Sequence, residues 1–442
     1  MRTHAQVADN LRQRILSRQA VVGVIGLGYV GLPLCVEFAR AGFRVAGVDL
    51  DPVRVASVNL GDSYISDTPS EDLRPFIVDG RLRATEDYAV LAEVDVAVIC
   101  VQTPFTATKE PDLRFVVSAL EEVGRRLRPG QLIVLQSTTY PGTTEEVALP
   151  ILARSGLVVG EEYFLAFSPE RVDPGNRAFG TADIPKVVGG VTSACTALTA
   201  LLFEQIVAQV HPVGSARAAE MTKLLENVYR SVNIALVNEL AILCERMGMD
   251  VWEVIDAAAT KPFGFMRFLP GPGVGGHCIP VDPYYLSWKA RGYDFNTKFI
   301  ALAAEINENM PYYVVGRVIE AVNLEAGRSI AGAHILALGV SYKRDVGDVR
   351  ESPALKVLKA LRRRGAEISY HDPHVPDLRL GADLLRSTEL TEEALSGADC
   401  VLILTDHSGV DYHRVGAAAR LIFDTRNATR ALRSAAARII RL

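Results

Sequence analysis

Between Val21 and Asp49 the chain reads VVGVIGLGYVGLPLCVEFARAGFRVAGVD. An apolar run of strand length meets glycines at 26, 28 and 31, an apolar pattern of helical period follows, and a second apolar run ends in an acid. Strand, glycine turn, helix and strand in that order leave few options, because two parallel strands need a crossover connection and a helix supplies it. The segment therefore predicts a βαβ unit and, with further apolar runs at 94–101 and 131–138, an open parallel sheet.

The glycines carry a chemical expectation as well. Gly26, Gly28 and Gly31, with Tyr29 and Val30 between them, allow a tight turn and the close approach of a pyrophosphate to a helix N-terminus. Asp49, 23 residues after the first glycine, is placed to bind a ribose 2′-hydroxyl and would repel a 2′-phosphate. A dinucleotide site follows, with NAD preferred over NADP.

Residues 19–36 carry no charge and mimic a signal peptide or a short membrane span, but four glycines and a proline in that run, arranged as this loop, exclude the membrane reading. At 442 residues the chain exceeds one core and implies two or three domains. A net charge of −5 and a pI near 6.0 exclude a general nucleic-acid binder while leaving room for a local basic pocket. Six scattered cysteines (35, 100, 195, 244, 278 and 400) show neither a disulfide framework nor zinc spacing, so no metal is expected and a reducing, cytoplasmic setting is.

From Ser215 to Met247 a helical apolar pattern runs nearly unbroken over ~50 Å, the length of a connector between lobes and a candidate dimer face. After Gly327 the α/β pattern restarts, which predicts a second α/β lobe. The N-terminal residues to about Gln19 read as a peripheral amphipathic helix.

Several residues stand out as chemistry. Lys223 and Asn227 lie at i and i+4 of the long helix, one above the other, in surroundings too apolar for a wet face; such a lysine can hold an oxyanion or polarise a water. GVGGHCIPVDP (273–283) sets Cys278 between glycines and prolines, four residues from Asp282, as a presented nucleophile rather than a packed thiol. His277 is next to it, but adjacent residues of an extended chain point apart. Glu170, in FSPERVDPGN, is placed as a general base. Lys343, Arg344 and Arg350 crowd a strand-to-helix loop suited to a diphosphate, and HDPH (371–374) reads as a turn rather than a metal site.

GLGYVGLP, QSTTYPGTT, SPERVDPGN, EMTKLLENVYRSVNIALVNEL, GPGVGGHCIPVDPYYL and SYKRDVGDVRESPA, in this order from Val21 to Asn427, resemble the UDP-glucose/GDP-mannose dehydrogenase family. The resemblance implies two Rossmann-like doubly wound α/β domains joined by a long central helix. It implies an NAD-binding domain over 1–212, a helical dimerisation and catalytic domain over 213–328, and a nucleotide-sugar domain over 329–442. It also implies a homodimer or higher homo-oligomer. The family oxidises a sugar C6 alcohol to a carboxylate in two NAD-dependent steps, with Cys278 as the implied thiohemiacetal and thioester nucleophile. Lys223 and Asn227 would stabilise the oxyanion and the water site, Asp282 would organise base chemistry, Glu170 would be an acid–base group, and Thr138 would position the water.

By the same resemblance Arg54, Thr103, Ser137 and Arg350 would join the glycines and Asp49 around NAD. Leu269, Gly271, Gly273 and Gly275, with Tyr342, Lys343 and Arg426, would face the nucleotide sugar together with Glu170, Lys223 and Asn227, and Arg267 would reach the neighbouring subunit's site. Val281 stands where the glucose-oxidising branch has lysine, and KPFGFM resembles the UDP-N-acetylhexosamine branch, UDP-N-acetylglucosamine above all. A UDP- or dTDP-glucose 6-dehydrogenase is the alternative. A catalytically inactive nucleotide-sugar-binding regulator would have lost Cys278, Lys223 or Asp282, and all three stand. Simple two-electron dehydrogenases of similar build need no thiol.

Overall fold

The computed structural model describes residues 4–65, 67–106, 109–172, 180–276, 279–432 and 435–442. Two compact units emerge, Met1–Glu226 with Tyr284–Asp294, and Asn227–Pro283 with Phe295–Leu442. Both are α/β with largely parallel sheets, as the sequence patterns predict.

In the first unit, β1 (Val21–Ile25), β2 (Arg44–Val48), β3 (Leu82–Thr85), β4 (Val96–Ile99), β5 (Leu132–Leu135), β6 (Phe164–Phe167), β7 (Lys186–Gly190) and β8 (Val210–Pro212) form one sheet. Its order is β3-β2-β1-β4-β5-β6-β7-β8, parallel except where β7 runs against β6. The order reverses between β1 and β4, so the loops leaving the carboxyl ends of these strands splay apart and open a crevice. The glycine loop, Thr103, Ser137 and Glu170 all follow such ends. Apolar side chains cover both faces of the sheet, Val22, Leu34 and Phe38 among those on one side and Ile99, Leu120 and Phe167 on the other. Two covered faces explain why these strands read as unbroken apolar runs rather than alternating ones.

The N-terminal helix, His4–Leu16, is not peripheral. Leu11 and Ile15, one turn apart, are buried in the first core, and Arg14 pairs with the buried Asp95 at 2.7 Å. The apolar pair was too short a signal to separate a docked helix from a loose one.

The second unit holds β9 (His334–Leu338), β10 (Glu367–His371), β13 (Cys400–Ile403), β14 (Leu421–Asp424) and β15 (Arg438–Arg441), with β11 (Asp377–Leu380) and β12 (Asp383–Arg386) as a separate antiparallel ribbon. The parallel sheet has the order β10-β9-β13-β14-β15, and its reversal between β9 and β13 makes a second crevice. The long helix is continuous from Ala216 to Met247, about 48 Å, and the division between the units falls within it after Glu226. No described helix is long and apolar enough to cross a membrane.

Candidate active site

The glycine loop leaves β1 and turns into the helix Gly31–Arg40. Gly26 has φ +93°, and a Cβ there would stand 2.7 Å from the Cys100 carbonyl oxygen; one on Gly31 would stand 1.8 Å from the Gly26 carbonyl oxygen. At Gly28 nothing lies within 4 Å of that position. The outer glycines thus close the turn, and the middle one faces open space where a phosphate can reach the backbone. The helix starts at Val30 without a side-chain cap, which leaves its first N–H groups for an anion. Asp49, just past β2, accepts the Leu27 N–H at 2.8 Å and faces the Arg54 guanidinium at 3.4 Å, so the acid and the loop form one body. Arg54 also lies over the Tyr64 ring, and Tyr29 is half-exposed at the rim. This cradle fits a dinucleotide. Tyr285 donates to the carbonyls of Thr103 and Pro104, and Ser137 Oγ donates to the Val101 carbonyl at 2.7 Å.

Glu170 does not have the surroundings expected of a general base. Its Oε1 accepts the N–H groups of Arg171 and Val172, and its Oε2 accepts Gln136 Nε2 at 2.6 Å and the buried Lys186 ammonium at 2.8 Å. Burial would raise its pKa, but Lys186 and these hydrogen bonds together hold it below the usual carboxylate range. A carboxylate with its lone pairs so occupied suits an anchor for the loop after β6 better than a proton acceptor.

Lys223 is 7% exposed, and among the described residues nothing hydrogen-bonds or ion-pairs with its ammonium. Thr138, partly exposed, is likewise unpartnered at its hydroxyl. Residue 220, which the motif reading missed, is a fully buried glutamate one turn before Lys223; its signal was a lone acid in an apolar helical stretch.

In the second unit the Asn227 amide donates to the Asp282 carboxylate, both buried. Asp282 opens the helix Asp282–Arg291. Cys278 and His277 lie outside the described residues. The other five cysteines do not compete for the nucleophile's role: four are buried, and burial pushes the Cys35 and Cys100 thiols up, with Cys400 at about 12.

The loop from Leu269 to Gly275 is held by a chain of buried amides. Gly271 N–H donates to Asn238 Oδ1 at 2.9 Å, Asn238 Nδ2 to Asn307 Oδ1 at 2.9 Å, and Asn307 Nδ2 to the Ser231 carbonyl at 3.1 Å. Gly275 leaves no room for a Cβ, which would lie 2.7 Å from Tyr342 Cβ, and at Gly271 one would lie 2.5 Å from an Arg426 guanidinium nitrogen. Gly273 has φ +119°. Arg426, after β14, donates through Nε to the Leu404 carbonyl at 2.9 Å. Desolvation lowers its pKa, with Asp406 and Asp424 opposing from further off, and no described carboxylate pairs with it directly. A desolvated, unpaired guanidinium beside a glycine loop is suited to a diphosphate.

Lys343 is partly buried after β9, while Arg350 pairs with Asp348 at 2.7 Å and Arg267 with Asp256. His374, expected in a simple turn, approaches Asp345 and His407 closely enough for a cation to be considered. Yet His407 already joins Asp372 through Nε2 at 3.0 Å and accepts the Asp345 N–H through Nδ1 at 3.0 Å, while Ser408 occupies the Asp345 carboxylate. The cluster is closed on itself and holds the loop that carries Tyr342 and Lys343.

A dinucleotide cradle in one unit and a desolvated arginine beside a glycine loop in the other, joined by a helix with a buried lysine, define an NAD-dependent nucleotide-sugar dehydrogenase. The chain belongs to the UDP-glucose/GDP-mannose dehydrogenase family, whose NAD binding domain matches residues 20–207, central domain 217–309 and UDP binding domain 336–431. It is 38% identical over 356 residues to the UDP-N-acetyl-D-glucosamine 6-dehydrogenase of Pseudomonas aeruginosa, covering 80% of this chain and 83% of that one. The UDP-D-ManNAc dehydrogenase structure from Pyrococcus horikoshii superposes with TM-score 0.87 at 33% identity, over 95% of this chain and 98% of the other. A UDP-glucose dehydrogenase from Pyrobaculum islandicum gives 0.82 at 29%, over 95% and 96%.

Proposed function

We propose that this enzyme oxidises the C6 hydroxymethyl of a UDP-N-acetylhexosamine, UDP-N-acetylglucosamine first, to the carboxylate. The observation that carries the reading is the buried ammonium of Lys223, without a partner among the described residues and one helical turn before an asparagine bonded to Asp282. A cation in such a place costs several kcal/mol unless something compensates it, and an oxyanion at C6 would do so.

When bound, NAD accepts hydride, and two equivalents are needed because the alcohol loses four electrons on its way to the acid. The first oxidation yields an aldehyde. The Cys278 thiolate adds to its carbonyl carbon, and Lys223 and Asn227 hold the oxygen of the resulting thiohemiacetal. Oxidation of that adduct gives a thioester. Water then attacks its carbonyl, the carbon–sulfur bond breaks, and the thiolate is restored as the carboxylate leaves. Asp282, fixed by Asn227, orders the proton transfers around the thiol, Thr138 seats the water, and Glu170 holds its loop in place.

Val281 and KPFGFM support the hexosamine branch, since the glucose branch carries a lysine before the aspartate. The ranges 1–212, 213–328 and 329–442 serve as NAD-binding, dimerising and nucleotide-sugar domains. Arg267 belongs to a neighbouring subunit's site, and Arg350 to the cofactor. The test is a panel of UDP-N-acetylglucosamine, UDP-N-acetylgalactosamine, UDP-N-acetylmannosamine, UDP-glucose, dTDP-glucose and GDP-mannose, with NADH counted per sugar. Two NADH and the highest kcat/KM on UDP-N-acetylglucosamine are expected. A preference for glucose overturns the branch, and one NADH per sugar overturns the four-electron course.

A further inference from the structure

Among the described residues of the first unit, the Lys223 ammonium and the Thr138 hydroxyl have no partner, as is also true of the buried Gln136 Oε1, Thr139 Oγ1 and Tyr163 hydroxyl. Lys223 and Thr138 come from distant parts of the chain, and Glu220 joins them. It lies one turn before Lys223 on the same helix and is 0% exposed. Its carboxylate crosses to the segment that follows β5: Oε2 accepts the Gly142 N–H at 2.5 Å, while Oε1 accepts the Thr144 N–H at 2.8 Å and the Thr144 hydroxyl at 2.7 Å.

The other end of that segment is fixed as well. Ser137 Oγ donates to the Val101 carbonyl at 2.7 Å, and inside the stretch Thr143 Oγ1 donates to the Tyr140 carbonyl at 2.7 Å. Thr138 therefore sits in a short loop pinned at residue 137 and again at residues 142 and 144. Its hydroxyl, which has no partner among the described residues, is placed by the backbone on either side. A serine or asparagine would cap two amides at far lower desolvation cost than a wholly buried carboxylate, which reaches across and accepts three donors at once.

We propose that Glu220 is a positioning residue that fixes the Thr138 hydroxyl relative to the Lys223 ammonium, and that this relation serves the hydrolytic half of the reaction. The inference rests on the thioester course proposed above. The hydride steps depend on where the cofactor and the thiol lie, and Glu220 touches neither the glycine loop nor Asp49. Hydrolysis depends on a water, a small molecule whose place only side chains can set. In that step the water oxygen bonds to the acyl carbon, the carbon–sulfur bond breaks with its electron pair leaving on sulfur, and a water proton is released. Nothing is oxidised or reduced.

The test is rapid mixing of wild type and Glu220→Gln with NAD and UDP-N-acetylglucosamine, or the sugar the panel prefers, followed by acid quench and intact mass. The variant is expected to release two NADH per site in a fast phase near the wild-type rate, then to turn over at least tenfold more slowly. An acyl adduct should accumulate on Cys278 while NAD affinity is unchanged. Turnover within twofold of wild type overturns the proposal. So does a fast phase slowed as much as the steady state, or a loss of NAD affinity alongside it, since either marks a merely structural residue. Should Glu220→Gln fail to fold, Thr144→Val removes one of the donors and must show the same order of effects; an unchanged steady state there overturns the proposal. One NADH per sugar in the wild type fails the thioester course itself and takes the proposal with it, whereas two in the wild type with no fast phase in the variant overturns only the role of Glu220.

Discussion

The Lys186 ammonium lies 2.8 Å from Glu170 Oε2, and both groups are largely withdrawn from water. Removing one member of such a pair leaves the other buried and unpaired, which costs about 3–5 kcal/mol. Glu170→Gln is therefore expected to lower the melting temperature sharply, and Lys186→Met added to it should recover part of the loss. If Glu170→Gln keeps wild-type stability and loses only turnover, Glu170 is a proton-transfer group after all.

The glycines of the cofactor loop should separate by function. Gly28→Ala meets nothing within 4 Å and should fold normally while weakening NAD binding roughly tenfold or more, because the added methyl fills the space a phosphate needs. Gly31→Ala meets the Gly26 carbonyl and should lose about 3 kcal/mol of stability. Calorimetric NAD titration and thermal melts of the two variants check this. Equal effects on both readouts contradict it.

Cys278→Ser is close to isosteric and should leave folding and NAD affinity intact while turnover falls by roughly three orders of magnitude. A hydroxyl attacks more weakly than a partly ionised thiol, and an ester resists hydrolysis better than a thioester, so a sugar adduct can accumulate and be seen by intact mass. Near-normal four-electron turnover makes the cysteine structural.

Leu225, Tyr229, Leu236, Leu240, Leu243 and Met247 recur along one face of the Ala216–Met247 helix, with Leu225 58% and Met247 60% exposed. Burying each leucine contributes about 1.5–3 kcal/mol, so a second copy of the chain is expected on this face. Leu236→Asp with Leu243→Asp should shift the sedimentation coefficient to that of a monomer and abolish activity. A wild-type enzyme that sediments as an active monomer refutes the dimer, and larger assemblies do not.

Burial pushes the Glu220 carboxyl up from 4.5 to about 7, against the hydrogen bonds from Thr144 and Gly142 that favour its ionised form. The folded chain thus takes up a proton that the unfolded chain lacks in that interval. Glu220's contribution to stability is full below pH 4.5 and is lost as the pH rises through 7. Glu220→Gln has no such dependence. The stability of wild type minus that of the variant, from urea unfolding, should be larger near ~pH 5 than near ~pH 8, by on the order of 3 kcal/mol at most. A flat difference places the carboxyl at its ordinary pKa.

Features whose physics is local were legible before any coordinates. The glycine turn was one, because covalent neighbours alone decide that a backbone must bend between a strand and a helix, and Gly26, Gly28 and Gly31 take the separate places the pattern predicts. The unbroken helix Ala216–Met247 was another, since its period is written in consecutive side chains. The surroundings of Lys223 could be flagged as too apolar, but not that it has no partner among the described residues, because a partner can come from anywhere in the chain. Glu170 looked like a free base in a loop, and its lock comes from Lys186 on an antiparallel strand and Gln136 at the end of another. Glu220 drew no notice beside Lys223, because its donors lie 78 and 76 residues away. Whether a buried charge is paired, held or left waiting depends on which distant segments the sheet brings to its carboxyl edge, and that order is set by the packing of the whole sheet rather than by the residues on either side.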